Sequence, residues 1–390
     1  MKRSALAFFS SAVLALATVS AGAQQAVKIG LLMTYTGQFT DAANQMDRGI
    51  TLYMKQHGDT VAGRKIEIIR KDTAGQPDAA KRLAQEMIVN DKVDMLGGFV
   101  ITPEALAVAD LATEAKKFTV VMNAATSIIT TKSPYLTRSS LTLPQNCEVL
   151  GTWAFQNGAR KVFTLVSDYA PGVDAETSFK SAYTAAGGEV IGSVRVPLAN
   201  PDFSAFVQRA KDSGADAIFV FVPGGSQPVA LAKALVERGM DPGKIRIMGQ
   251  GELADETALK AIGDAAIGII TAFHYDYAHG SAANKAFVAA YNAEFKRNPD
   301  FFSVGGYDGM HMIYEALKKT GGKADGDSLI GAVKGLSWES PRGPVSIDPA
   351  TRDIVNTVYI RRVEKVSGEV RNVEIARFEN VKDPVKARMK

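Results

Sequence analysis

The feature that most constrains this chain is an alternation of short apolar runs with amphipathic stretches of helical length. Apolar runs begin near Val27 (VKIGLLMT), Lys65 (KIEIIRKD), Val93 (VDMLGGFV) and Phe118 (FTVVMN), and ANQMDRGITLYMKQ, PDAAKRLAQEMIVND and TPEALAVADLATEA lie between them. After a Pro-bearing stretch, TRSSLTLPQN, the alternation restarts with KVFTLVSD, EVIGSVRVP, DAIFVFVP and KIRIMGQ. DAETSFKSAYTAA, DFSAFVQRAKDSG and QPVALAKALVERG separate these runs. Near-continuous apolar strands alternating with helices imply βαβ units and parallel sheets buried on both faces. Two such runs predict two doubly wound α/β lobes.

The last third makes no third run. GIITAFHYDY reads as a strand, NKAFVAAYNAEFKR, GYDGMHMIYEALKKTG and DGDSLIGAVKGL as helices, and GPVSID and DIVNTVYIRRVEKVSGEVRNVEIARF as a β-rich tail turning at Ser367-Gly368. These segments most simply complete the two lobes already begun. The chain then passes between lobes more than once, which predicts a hinge of several crossovers and a cleft.

Within the first run, Val93 to Thr126 reads as strand, Gly turn, helix, strand. Thr102 is the expected helix N-cap, with Pro103 at the first helical position and Glu104 in the first turn. Gly97-Gly98-Phe99 and Asn123-Ala124-Ala125-Thr126 end the two strands. Side by side they would offer free backbone N–H groups, the hydroxyls of Thr102 and Thr126 and a positive helix terminus, a corner suited to a carboxylate.

Residues 1–23 carry a leader pattern: Lys2 and Arg3, an apolar run from Ala5 to Val19, then Ala21-Gly22-Ala23 as cleavage site. Export with cleavage after Ala23 is expected, and the Gln that follows does not suit a lipid anchor. The formal charge of +4, two units of which leave with Lys2 and Arg3, and the absence of a dense basic block before the last residues argue against a nucleic-acid partner. Cys147 is the one cysteine, so no internal disulfide or thiolate metal site is available. It reads as buried and inert.

The order and spacing of TYTGQF, GGFVITPEA, VVMNAAT, VSDYAPG, GQGELAD and GGYDGMHMIYEAL resemble the branched-chain amino-acid (Leu/Ile/Val-binding-like) type of periplasmic solute-binding protein, the exported receptor of ABC importers. The resemblance runs from about Val27 to Glu364. It implies a type I periplasmic binding fold, monomeric, with three crossovers and no cofactor. Lobe 1 would be about 26–142 plus 275–343, lobe 2 about 143–274 plus 344–377, and 378–390 a tail. It also implies hinge closure on a small ligand and delivery to a membrane permease.

Ligand groups in such sheets sit at the carboxyl ends of strands. From lobe 1 these are Tyr35, Thr36, Gln38, Phe99, Thr102, Ala124 and Thr126. From lobe 2 they are Asp168, Tyr169, Gly224, Gln250 and Glu252. His274 and Tyr307 lie near a crossover and a helix start. In the family that the chain resembles, the lobe-1 corner holds a carboxylate, and lobe 2 supplies aromatics and an acid for the ammonium. Here the ammonium-binding acid falls on Gly251, with Glu252 one place late, and a tyrosine-rich turn is replaced by Pro223-Gly224-Gly225-Ser226. A buried ammonium without a partner is costly. A carboxylate lacking an α-amino group, aromatic or otherwise apolar, is therefore the expected ligand. A branched-chain amino acid is the alternative, with Asp168 or Glu252 as its ammonium partner.

An enzyme is not expected. Among His57, His274, His279 and His311 there is no HExxH, and the chain has no GxSxG, GxxxxGK[ST] or GxGxxG motif. His274 and His279 are too weakly spaced for a metal site. A sensor that presents its ligand to a membrane receptor would look the same in sequence.

Overall fold

The computed structural model describes residues 25–389. The first run builds β1 (Val27–Met33), α1 (Thr40–His57), β2 (Thr60–Val61), β3 (Arg64–Asp72), α2 (Pro77–Val89), β4 (Met95–Gly98), α3 (Thr102–Glu114), β5 (Thr119–Val121) and β6 (Leu136–Arg138). They form one sheet in the order β2-β3-β1-β4-β5-β6, parallel except for the β2–β3 hairpin. β1 shows why its apolar run is unbroken. Ile29, Leu31 and Met33 enter one core and Leu32 the core on the opposite face, beneath α2 and α3, because strand side chains alternate.

The second run begins with a helix that the apolar pattern does not reveal, α4 (Leu143–Gln156), then β7 (Lys161–Ser167), α5 (Ala170–Ala185), β8 (Glu189–Val196), α6 (Ser204–Asp212), β9 (Ala217–Phe221), α7 (Gln227–Glu237), β10 (Arg246–Gln250), α8 (Glu256–Ile262) and β11 (Ile270–Phe273). Again the strands divide between two cores: in β9, Phe219 and Phe221 face α4 and α5, while Ile218 and Val220 face α6 and α7. The chain then supplies α9 (Ala282–Phe295), α10 (Phe301–Lys319) and α11 (Gly326–Val333), of which α10 packs along α1 of the first unit. It returns through β12 (Ser337–Ser340) and β13 (Gly343–Ile347) to β14 (Ile354–Val366), β15 (Glu369–Val381) and α12 (Pro384–Ala387).

The second sheet runs β12-β13-β14-β11-β10-β9-β7-β8, with β15 paired to β14. It is parallel from β8 to β11, but β11–β14, β12–β13, β13–β14 and β14–β15 are antiparallel. The second sheet is thus parallel in its doubly wound part, with its antiparallel strands supplied by the last third of the chain. Ser367 and Gly368 have positive φ, 52° and 88°, and make the β14–β15 turn as expected. The three passages between sheets follow β6, β11 and α11. The leader lies outside the described residues.

Candidate functional site

Two parallel strands of the first sheet, β4 and β5, end level, with Gly98 beside Val121. Their loops are tied together. Asn123 Nδ2 donates to the Val100 carbonyl at 2.7 Å, and the Ala124 N–H to the Phe99 carbonyl at 3.0 Å. The expected N-cap is shifted by one: α3 starts at Thr102, and the preceding Ile101 has an apolar side chain that caps nothing. Glu104 covers part of the gap, reaching back to the Ile101 N–H at 3.5 Å. It is also held by the Thr34 hydroxyl at 3.0 Å and by Thr73, and burial pushes its carboxyl above the usual range. The Thr102 hydroxyl, freed from capping, meets the Thr126 hydroxyl at 2.9 Å in a buried pair. One hydroxyl must donate to the other, so the pair keeps one proton for an outside acceptor.

The N–H groups of Thr102, Ala125 and Thr126 have no acceptor among the described residues. Ala124 was expected to offer its N–H, but that group is spent on Phe99. Beneath the loop lies a residue missing from the sequence reading, the fully buried Arg138 at the end of β6. Its guanidinium donates to the carbonyls of Ala124 (3.0 Å), Leu141 (3.1 Å) and Thr126 (2.9 Å), and pairs with Asp353 at 3.1 Å. The Ala124 carbonyl turned inward to Arg138 turns the Ala125 N–H of the same peptide the other way, while the Ser127 N–H is taken by Asp174 at 2.8 Å. A positive guanidinium and the N-terminus of α3 bias the corner toward an anion.

A narrow cavity opens in front of this corner. The first sheet contributes Val100, Ile101, Thr102, Asn123, Ala124 and Ala125, and the second sheet faces them with Tyr169, Phe221, Pro223, Gly224 and Glu252. Phe39 and Phe302 join the lining. No Lys, Arg or His lines it. Glu252 donates its N–H to Gln250 Oε1 (2.9 Å), and its Oε2 accepts from the Gly224 N–H at 2.6 Å. Burial, helped by Asp255 nearby, pushes its carboxyl up to about 7. The neighbouring position explains the missing acid: a Cβ on Gly251 would lie 2.0 Å from the Phe273 ring, so no side chain fits there.

The cavity therefore gathers Thr102, Ala124, Tyr169, Gly224 and Glu252 from the sequence reading, with Thr126 touching it through Thr102. The others lie elsewhere. Asp168 is exposed and faces Arg195 at 4.0 Å. Phe99 is wholly buried in the core beneath α2 and α3. The Tyr35 ring packs on the first unit with its N–H on Asp72 at 2.9 Å, while Thr36 and Gln38 are exposed at the rim. Gln250 supports the Glu252 backbone rather than lining the cavity. His274 is fully buried, with burial and the cations Arg342 and Arg361 holding it well below the usual range. Tyr307 lies well inside α10, not at its start, and donates to Gln56 at 2.7 Å. His279 pairs with Glu374 at 2.9 Å. Cys147 is buried on α4, and burial pushes its thiol up.

A family model described as periplasmic binding protein matches residues 26–369. The chain belongs to the periplasmic binding protein family. Members of this family bind solutes and do not transform them, in keeping with the expectation of no enzyme. The Leu/Ile/Val-binding protein homolog 6 of Brucella melitensis is 43% identical, over 97% of each chain. Among solved structures, an ABC-transporter solute-binding protein from Rhodopseudomonas palustris BisB5, in complex with 3,4-dihydroxybenzoic acid, is 57% identical with a TM-score of 0.90, covering 93% of this chain and 99% of that one. One from Rhodopseudomonas palustris HaA2, in complex with p-hydroxybenzoic acid, is 43% identical with a TM-score of 0.90, covering 94% and 100%. The type I fold of this family is the fold described above. No helix among the described residues is long and apolar enough to cross a membrane.

Proposed function

We propose that this protein captures an aromatic carboxylate in the periplasm and delivers it to the permease of an ABC importer. The observation that carries this reading is the cavity itself: an anion corner of hydroxyls and free N–H groups faces aromatic walls, and the position aligned with an ammonium-binding acid has no room for a side chain. The dihydroxybenzoate and p-hydroxybenzoate complexes of similar proteins support the same ligand class.

Closure is the mechanism, with no chemistry. We take the moving bodies to be 26–142 with 275–343 and 143–274 with 344–377, the tail riding on the second, in a monomer. Ligand seated on the first wall draws the second wall over it, as hinge closure does in other periplasmic binding proteins. Cleavage after Ala23 would leave a mature chain starting at Gln24, which the intact mass of the periplasmic protein reads directly.

A branched-chain amino acid is the second reading, favoured by the names of the Brucella relatives and by the carboxylate of Glu252. A thermal-shift screen separates the two. A ligand at 100 times its dissociation constant adds about 2.7 kcal/mol. Benzoate or p-hydroxybenzoate should give such a shift, and leucine and phenylalanine should not. If the amino acids stabilise the protein and the aryl acids do not, the proposal fails.

A further inference from the structure

We infer that Glu252 sets specificity at the far end of the ligand: its free carboxyl oxygen accepts a hydrogen bond from a hydroxyl carried on the ring opposite the carboxylate. This rests on the aromatic-acid reading and narrows it to hydroxylated aryl acids. Thr102, Ala124 and Ala125 belong to the first sheet, and Glu252 and Gly224 to the second, so one ligand spanning the cavity touches both. Between them, Phe39, Tyr169, Phe221 and Phe302 leave an aromatic ring as the natural filling.

Glu252 is already half satisfied. Oε2 takes the Gly224 N–H and the Gln250 side chain lies beside the carboxyl, while Oε1 accepts no hydrogen bond within 3.5 Å among the described residues. The residue is only 7% exposed, and that exposure opens into the cavity. A carboxyl oxygen left without a partner in an apolar cavity is costly, so the site is incomplete until a donor arrives. A ring hydroxyl brings one donor, matching one free oxygen. An ammonium brings three donors, and Glu252 is the one carboxylate in the lining. A bare ring brings none and leaves Oε1 against hydrocarbon.

The experiment compares p-hydroxybenzoate with benzoate by calorimetry on wild type, Glu252→Leu and Glu252→Gln, with unliganded melting points recorded beside them. Wild type should prefer p-hydroxybenzoate by at least about tenfold, the scale set by one hydrogen bond to a charged group. Glu252→Leu should bind benzoate at least as well as wild type does and lose most of the preference. Glu252→Gln keeps an acceptor oxygen without the charge and should fall between. It also serves as the test if the leucine variant fails to fold. A wild type without preference, or a preference unchanged in both variants, overturns the inference while leaving the aromatic-acid reading standing. If wild type binds neither acid, both fall.

Discussion

Thr126→Val is the sharpest test of the anion corner. Valine keeps the shape and removes the hydroxyl that meets Thr102 at 2.9 Å, while the main-chain carbonyl of residue 126 stays on Arg138 at 2.9 Å. Two effects follow and must be separated. Without ligand, one buried hydroxyl pair is lost, about 0.5–1.5 kcal/mol net. With ligand, the Thr102–Thr126 unit that donates to the carboxylate is broken as well, and a hydrogen bond to a charged group is worth roughly 1.5–3 kcal/mol. At about 1.4 kcal/mol per decade, affinity for p-hydroxybenzoate should fall by about one to two decades. Calorimetry with that acid, and with its neutral carboxamide as control, reads the second effect alone. The carboxamide should bind wild type weakly, and the variant should lose less for it than for the acid. Thr102→Val should behave alike, and the double variant should cost less than the sum, because the two hydroxyls act as one unit. An acid affinity within threefold of wild type, in a variant with an unchanged fold, would refute the corner.

Two further outcomes are expected. Gly225 has a φ of 102°, and a Cβ there would stand 2.8 Å from the Gln38 carbonyl across the cleft, so Gly225→Val should abolish the ligand-induced compaction measured by small-angle scattering. By contrast, Thr257→Val removes only a half-exposed hydroxyl's bonds to Asp41 (3.0 Å) and Arg297 (3.2 Å), keeps the Asp41–Arg297 pair (3.1 Å) and should leave compaction intact; equal behaviour of the two variants would contradict the closure geometry. Burial, with Asp255 beside it, pushes Asp300 up to about 8, while Asp255 itself is pushed up to about 6. The folded chain then binds protons more tightly than the unfolded one, and the melting point should fall as pH rises from about 6 to 8. Asp300→Asn retains an acceptor for the Ser303 N–H (3.1 Å) and should flatten that fall, whereas a wild-type melting point rising over the interval would count against it.

The alternation of strands and helices was legible because each parallel strand must feed two cores, which leaves unbroken apolar runs such as VKIGLLMT. α4 was not, since its buried face includes Gln145 and Asn146. Gln145 Nε2 is satisfied by the carbonyls of Ile354 and Val381, more than 200 residues away in sequence. No local pattern carries that information. Arg138 was hidden for the same reason: a charged residue contradicts a core position until Asp353 and three carbonyls are seen around it. Strand ends point to the loops that meet at this corner but overcount its residues. Phe99 points into the core and Asp168 out to solvent, because a strand end selects an edge and not a face. Phe39 and Phe302 reach the cavity only through the packing of α1 and α10, a contact between residues far apart in sequence.

The anion corner is assembled by the first sheet and clamped from behind by Arg138, whereas Glu252 and Tyr169 arrive from the other side. On the proposed function, capture would divide into two kinetic events with separate owners. The corner would receive the carboxylate, and its residues would govern the encounter and the first weak complex. The opposite wall would act only after the lobes meet, and its residues would govern how long the solute stays. In stopped-flow mixing, changes at Glu252 should leave association nearly untouched and appear in the escape rate, which is the rate a permease must accelerate to empty its carrier.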